Sequence, residues 1–126
     1  MAKEFLYRGK TIQDIQKMDL DEFAKLVPSR ERRKMKRGFT EMEKKLLESV
    51  RKDEKEIKTQ CRDMIVLPQM VGKTIKVHSG KEWVMLIIAP EMLAHRLGEF
   101  ALTRRQVRHS APGIGATRSS ASLSVR

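Results

Sequence analysis

The chain of 126 residues holds one cysteine, one tryptophan and one tyrosine, and it has no acidic residue from Phe100 to Arg126. A single thiol, Cys61, excludes an internal disulfide, and Met1-Ala2-Lys3-Glu4 leads into no apolar segment of signal type, so the expected setting is a reducing cytoplasm. The longest apolar run, Trp83 to Pro90, falls far short of the roughly 20 apolar residues that a membrane-crossing helix needs. It reads as a buried strand. Cys61, beside another apolar stretch, reads as an inert buried thiol.

What the chain does have is positive charge. Its 27 Lys and Arg against 16 Asp and Glu give a net charge of +11, with 34% of residues charged. That leaves material for one modest core with appendages. Such an excess is the footprint of a polyanionic partner, because each neutralised phosphate releases condensed counterions. An anionic membrane surface attracts the same side chains. The charge is uneven: the first 60 residues interleave 17 basic with 12 acidic residues, whereas the stretch from Phe100 onward has five arginines and no acid. In the front half, Arg30, Arg32, Arg33, Lys34, Lys36 and Arg37 are interrupted only by Glu31 and Met35.

The N-terminal half reads as helices between breakers. Asp19 with Glu22 suits a cap, and Leu20, Phe23, Ala24 and Val27 share a face before Pro28 stops the run. Ser29 is placed to cap a second helix bearing the basic cluster, and Gly38 to end it. Thr40 with Glu43 is a capping box, followed by a core stripe of Met42, Leu46, Leu47 and Val50. Asp53 to Lys58 is charge-dense and reads as a linker.

After Cys61 the period changes. Met64 to Leu67 is apolar and ends at Pro68; Thr74 to His78 alternates as a half-buried strand, Ser79-Gly80 is a turn, and Trp83 to Ile88 returns as an antiparallel partner. Alternation points Lys76 outward, toward ligand or water. Pro90 opens a helix running through His95 and Arg96 that Gly98 ends. Gln106 to His109 supplies a third strand.

Enzyme signatures are absent. Gly72-Lys73-Thr74 resembles the end of a phosphate-binding P-loop, but Leu67 stands where that motif needs glycine; Gly9-Lys10-Thr11 fails likewise, with Glu4 at that place. His78, His95 and His109 show no zinc spacing, and no cofactor or metal is expected. Glu91 and His95, four apart, suit a surface hydrogen bond.

The segment Arg62-Asp63-Met64-Ile65-Val66-Leu67-Pro68-Gln69-Met70-Val71-Gly72, the hairpin Thr74 to Gly80, the run Glu91-Met92 through His95-Arg96-Leu97-Gly98-Glu99-Phe100, and Thr103-Arg104 closely resemble the small-subunit ribosomal protein family S-nineteen. Phe5-Leu6-Tyr7-Arg8-Gly9, Arg32-Arg33 through Arg37-Gly38, and His109 through Pro112-Gly113-Ile114-Gly115-Ala116-Thr117 look like its archaeal and eukaryotic branch. The C-terminal residues Ala121 to Arg126 lack the lysine-terminated eukaryotic form, which points to an archaeal source.

The resemblance implies an α+β fold: a small three-stranded antiparallel sheet with flanking helices, a helical N-terminal extension over 1–58, an RNA-binding core over 59–109 and a flexible basic tail over 110–126. It implies a structural constituent of the small ribosomal subunit, not an enzyme, that binds the 3′ major domain of the small-subunit ribosomal RNA in the head. The neighbouring head protein S-thirteen is the implied protein partner, and the tail would reach toward transfer RNA at the decoding site. The RNA-contact candidates are Arg32, Arg33, Arg37, Lys73, Lys76, His78, Lys81, Arg96, Thr103, Arg104, Arg105, Arg108, His109, Gly113, Gly115 and Arg118.

Physical chemistry suits that expectation. Guanidinium groups fork onto phosphate, lysines add point charge, and structured RNA is recognised through shape, 2′-hydroxyls and phosphates. With few aromatics, base stacking is a minor term, and Trp83 and Tyr7 read as core or docking residues. Two rival readings stay open: a DNA-binding protein laying the helix from Ser29 to Arg37 in a major groove, and a protein scaffold using the Met42 to Val50 stripe.

Overall fold

Thr11 and Thr40 show how local chemistry starts this fold. In the computed structural model, which describes residues 3–107, the Thr11 hydroxyl accepts the Asp14 N–H at 3.3 Å and opens α1 (Ile12–Lys17). Thr40 and Glu43 form the anticipated capping box at the head of α4 (Glu41–Arg51), each side chain accepting the other's backbone N–H. Between them lie α2 (Leu20–Leu26) and α3 (Ser29–Arg37). Asp19 precedes α2 without making a side-chain cap bond. Pro28, not Ser29, sits at the cap of α3, its carbonyl accepting the Arg32 N–H at 2.9 Å. Gly38 ends α3 at φ 91°, a conformation that favours glycine.

The helices contribute Ile15, Phe23, Val27, Leu46, Leu47 and Val50 to one buried cluster with Ile57, Ile75, Val77 and Leu86 of the sheet. Met42, expected in the core stripe, is 55% exposed. Cys61 is only half-buried, at the margin of this cluster.

The sheet is mixed, not antiparallel. β1 (Ile57–Thr59) pairs parallel with β2 (Thr74–His78), which pairs antiparallel with β3 (Trp83–Ile87) in the order β1-β2-β3. The third strand is thus Ile57–Thr59, which overlaps the end of the 53–58 stretch expected to be a linker; among the described residues, Gln106 and Val107 join no strand. A parallel pair needs a crossover of a dozen or more residues. Residues 60–73 provide it, and their apolar run Met64 to Leu67, with Pro68 and Met70, is buried.

That crossover also explains why no α-helix forms at 90–98. The segment makes a short 3-10 helix at Pro90–Met92, turns through Ala94 at φ 64°, and makes another at Leu97–Phe100. Its backbone is committed elsewhere. Val66 N–H donates to the His95 carbonyl at 2.8 Å, Ala94 N–H to Val66 at 3.2 Å, Leu97 N–H to Met64 at 3.0 Å and Gly98 N–H to Arg62 at 2.9 Å. These long-range bonds replace helical ones. His95 therefore pairs with Glu99, Nδ1 to Oε2 at 2.8 Å, and not with Glu91. Gly98 lies within the second 3-10 turn; a Cβ there would stand 2.9 Å from Arg62 Cβ.

β3 is buried on one face only. Leu86 is covered, whereas Trp83, Met85 and Ile87 point out from the same side as Thr74, Lys76 and His78 of β2 and Lys58 of β1. The outer face of the sheet is thus both apolar and basic.

Candidate nucleic-acid interface

Residues 30, 33 and 37 are spaced three and four apart, so α3 presents their side chains on one stripe. Arg30, Arg33 and Arg37 are exposed and make no ion pair among the described residues. With Lys34, Gly38, Asp63 and Arg96 they line a concavity of about 440 Å³. Its floor is braced. Lys34 donates to the Asp63 carbonyl at 2.8 Å and pairs with Glu43 at 2.6 Å, while Arg96 stands 3.6 Å from Glu31 and 3.5 Å from Asp63. Burial pushes the Glu43 carboxyl up. The Lys34 hydrogen bond, the Thr40 backbone bond and the Lys34 charge outweigh this, holding it below the ordinary value.

Arg32 belongs to the same sequence cluster and faces another way. Its guanidinium donates to the carbonyls of Ala24 at 2.9 Å and of Lys25 and Val27 at 3.1 Å. These are the acceptors left over at the end of α2, so Arg32 caps that helix.

A second group surrounds the β2–β3 turn. Gln60, Arg62, His78, Ser79, Gly80 and Thr103 line a concavity of about 420 Å³, which brings the hairpin and Thr103 together. Gly80 takes φ 101°, its N–H donates to His78 Nδ1 at 3.1 Å, and the His78 ring meets Trp83 edge to face at 4.9 Å. Lys81 and Arg104 are exposed without a side-chain partner among the described residues. Arg105 is paired with Glu82.

Two hairpin lysines are engaged within the protein. Lys73 donates to the Val50 carbonyl at the end of α4 and lies 3.1 Å from Asp53. Lys76, on the outer face as expected, pairs with Glu56, whose carboxyl is held below its ordinary range first by that bond and then by Lys58. Arg108, His109, Gly113, Gly115 and Arg118 lie outside the described residues.

Sequence reasoning missed Arg62. It donates to the His78 carbonyl at 2.8 Å, the Gly98 carbonyl at 2.8 Å and the Ala101 carbonyl at 2.6 Å, tying the hairpin to the 97–101 turn. Nothing local marks it, since its acceptors lie 16 to 39 residues away. Arg30 was visible in the cluster; its spacing to Arg33 and Arg37 is the signal that selects it over Arg32. Among the described residues no group of three His, Cys, Asp or Glu could hold a metal, and no helix is long and apolar enough to cross a membrane.

Fold and surface together define a small basic α+β protein that displays unpaired cations, Arg30, Arg33 and Arg37, around an open concavity. Residues 33–109 match the Ribosomal protein S19 family, and the chain belongs to it. Over 118 residues it is 54% identical to a protein of Methanocella arvoryzae named Small ribosomal subunit protein uS19, an alignment covering 94% of this chain and 84% of that one. Members of this family are structural ribosomal components, not enzymes.

Proposed function

We propose that this protein is built into the small ribosomal subunit by binding the 3′ major domain of the small-subunit ribosomal RNA, in the head. The observation that carries the reading is the unpaired stripe Arg30, Arg33 and Arg37 over a floor already neutralised by Glu43, Glu31 and Asp63. Cations free of internal partners can take phosphate without breaking an ion pair, and the braced floor fixes their spacing. Arg30, Arg33, Arg37, Lys81, Thr103 and Arg104 form the directly available part of the interface. Lys73, Lys76, Arg96 and Arg105 add charge from within ion pairs, and Arg32 supports α3 from behind. S-thirteen is the proposed neighbour in the head, and the basic C-terminal residues are proposed to extend toward transfer RNA.

The test is sedimentation of the tagged protein from its own cells at low and raised magnesium. Co-migration with the small subunit at low magnesium, and with whole ribosomes when magnesium joins them, supports the reading. A slow peak free of ribosomal RNA overturns it and favours the major-groove alternative, which competition with duplex DNA then measures.

A further inference from the structure

We propose that the groove between α4 and the outer face of the sheet is a pocket for a single unpaired nucleotide of RNA, with its base stacked on Trp83. This rests on the RNA-binding reading and adds to it a site away from the α3 stripe. The concavity of about 290 Å³ is lined by Met42, Lys45, Leu46, Ser49, Lys58, Thr59, Gln60 and Trp83. Positions 42, 45, 46 and 49 share one face of α4, so the helix supplies an apolar floor, a hydroxyl and an ammonium in one row.

Size, charge and ring chemistry select the occupant. The volume stands at the small end of the roughly 300–1,000 Å³ found for ligand pockets, the scale of one ring system and not of a folded partner segment. No carboxylate lines it. Lys58 shares Glu56 at 3.4 Å with Lys76, while Lys45 is exposed with no side-chain partner among the described residues. An apolar protein segment would cover the unpaired Lys45 ammonium without neutralising it; a nucleotide brings its own phosphate. Trp83 is 41% exposed, and its ring is held at 72° to His78, so the indole is available and already oriented. A base stacked on it loses little conformational freedom, and Gln60 and Ser49 offer amide and hydroxyl groups to its edge.

Trp83 is the only tryptophan of the chain, so its fluorescence reports the site directly. The full-length protein is titrated with two hairpin RNAs of the same stem, one fully paired and one carrying a single bulged adenosine. The bulged RNA is expected to quench Trp83 and to bind about tenfold more tightly than the paired one, the scale of one base–aromatic stack. With affinities of the tryptophan-free variants read instead by mobility shift of the labelled RNA, Trp83→Ala should abolish that preference while leaving binding of the paired RNA unchanged. Trp83→Phe, which keeps a stacking ring and the packing on His78, should retain most of it. Equal affinity and equal quenching for the two RNAs overturn the pocket while leaving the RNA-binding reading intact. Failure of both RNAs to bind with salt-dependent affinity overturns that reading itself. Quenching by an acidic apolar peptide but by neither RNA assigns the groove to a protein partner and overturns the proposal.

Discussion

Arg62 and the Arg30, Arg33 and Arg37 stripe use one side chain in two ways. Arg62 is half-buried, and its donors are taken up by three backbone carbonyls of distant segments. The α3 arginines stand in solvent with nothing of their own to hold. The difference is one of reach: a guanidinium surrounded by loose carbonyls is drawn inward to satisfy them, while one on a helix face whose backbone is already paired keeps its donors for a ligand. Adjacent residues obey the same rule, since Arg32 finds the open end of α2 and Arg33 does not.

The comparison is broken most severely at Arg62. Arg62→Ala strands three acceptors and should lower unfolding free energy by about 3 kcal/mol, measured by urea denaturation, with Arg62→Lys recovering only part because an ammonium lacks the planar fork. Unchanged stability would mean that the junction does not depend on it. Next, Arg30, Arg33 and Arg37 replaced together by Ala should weaken binding to the head-domain RNA about 30-fold at moderate salt and reduce the slope of log K against log salt by roughly 2 to 3. Thermal stability should stay within about 0.5 kcal/mol, as for ordinary surface changes. Arg32→Ala should do the reverse: about 1 kcal/mol of stability lost with the end of α2, and the salt slope intact. A slope that fell as far as for Arg33→Ala would erase the distinction between the neighbours.

The smallest effect is in pH. The Glu43 carboxyl lies below its ordinary value in the folded chain, so its contribution is present above the unfolded value near 4.5 and is lost as pH falls through the lower, folded value. Glu43→Gln should flatten the stability curve in that acid window and lower the plateau above it. An acid limb unchanged by the substitution would show that the Glu43 contacts with Lys34 and Thr40 do not set the acid stability.

Much of the fold is legible where its causes are local. Thr40 with Glu43, Gly38 after the basic run, and the alternation of Thr74 to His78 each carry their own geometry within a few residues. What the sequence conceals is whatever depends on a distant partner. Ile57 to Thr59 looks like part of a charged linker because three residues make no pattern; only the buried faces of Ile57 and Thr59 against β2 turn them into a strand. Pro90 to Gly98 has the breakers of a helix, and its backbone is claimed by Met64, Val66 and Arg62 instead. The same holds for the site. Charge identified the α3 cluster, but which cations stay free and which brace is decided by carbonyls and carboxylates that meet them only in the folded chain.

The Arg62 junction also sets a timetable for synthesis. Ala101 follows Arg62 by 39 residues, which at about 5–20 residues per second is roughly 2 to 8 seconds of elongation. Within that interval the helices are already made, the rest of the crossover follows first, and the segment 94–98 that pairs with it comes only near the end. Ala101 is the last buried position among the described residues, so the clasp that closes the core comes from its C-terminal side. A chain stopped before Ala94 would hold its apolar crossover without the backbone partners that cover it, a state in which premature release exposes a sticky surface to quality control.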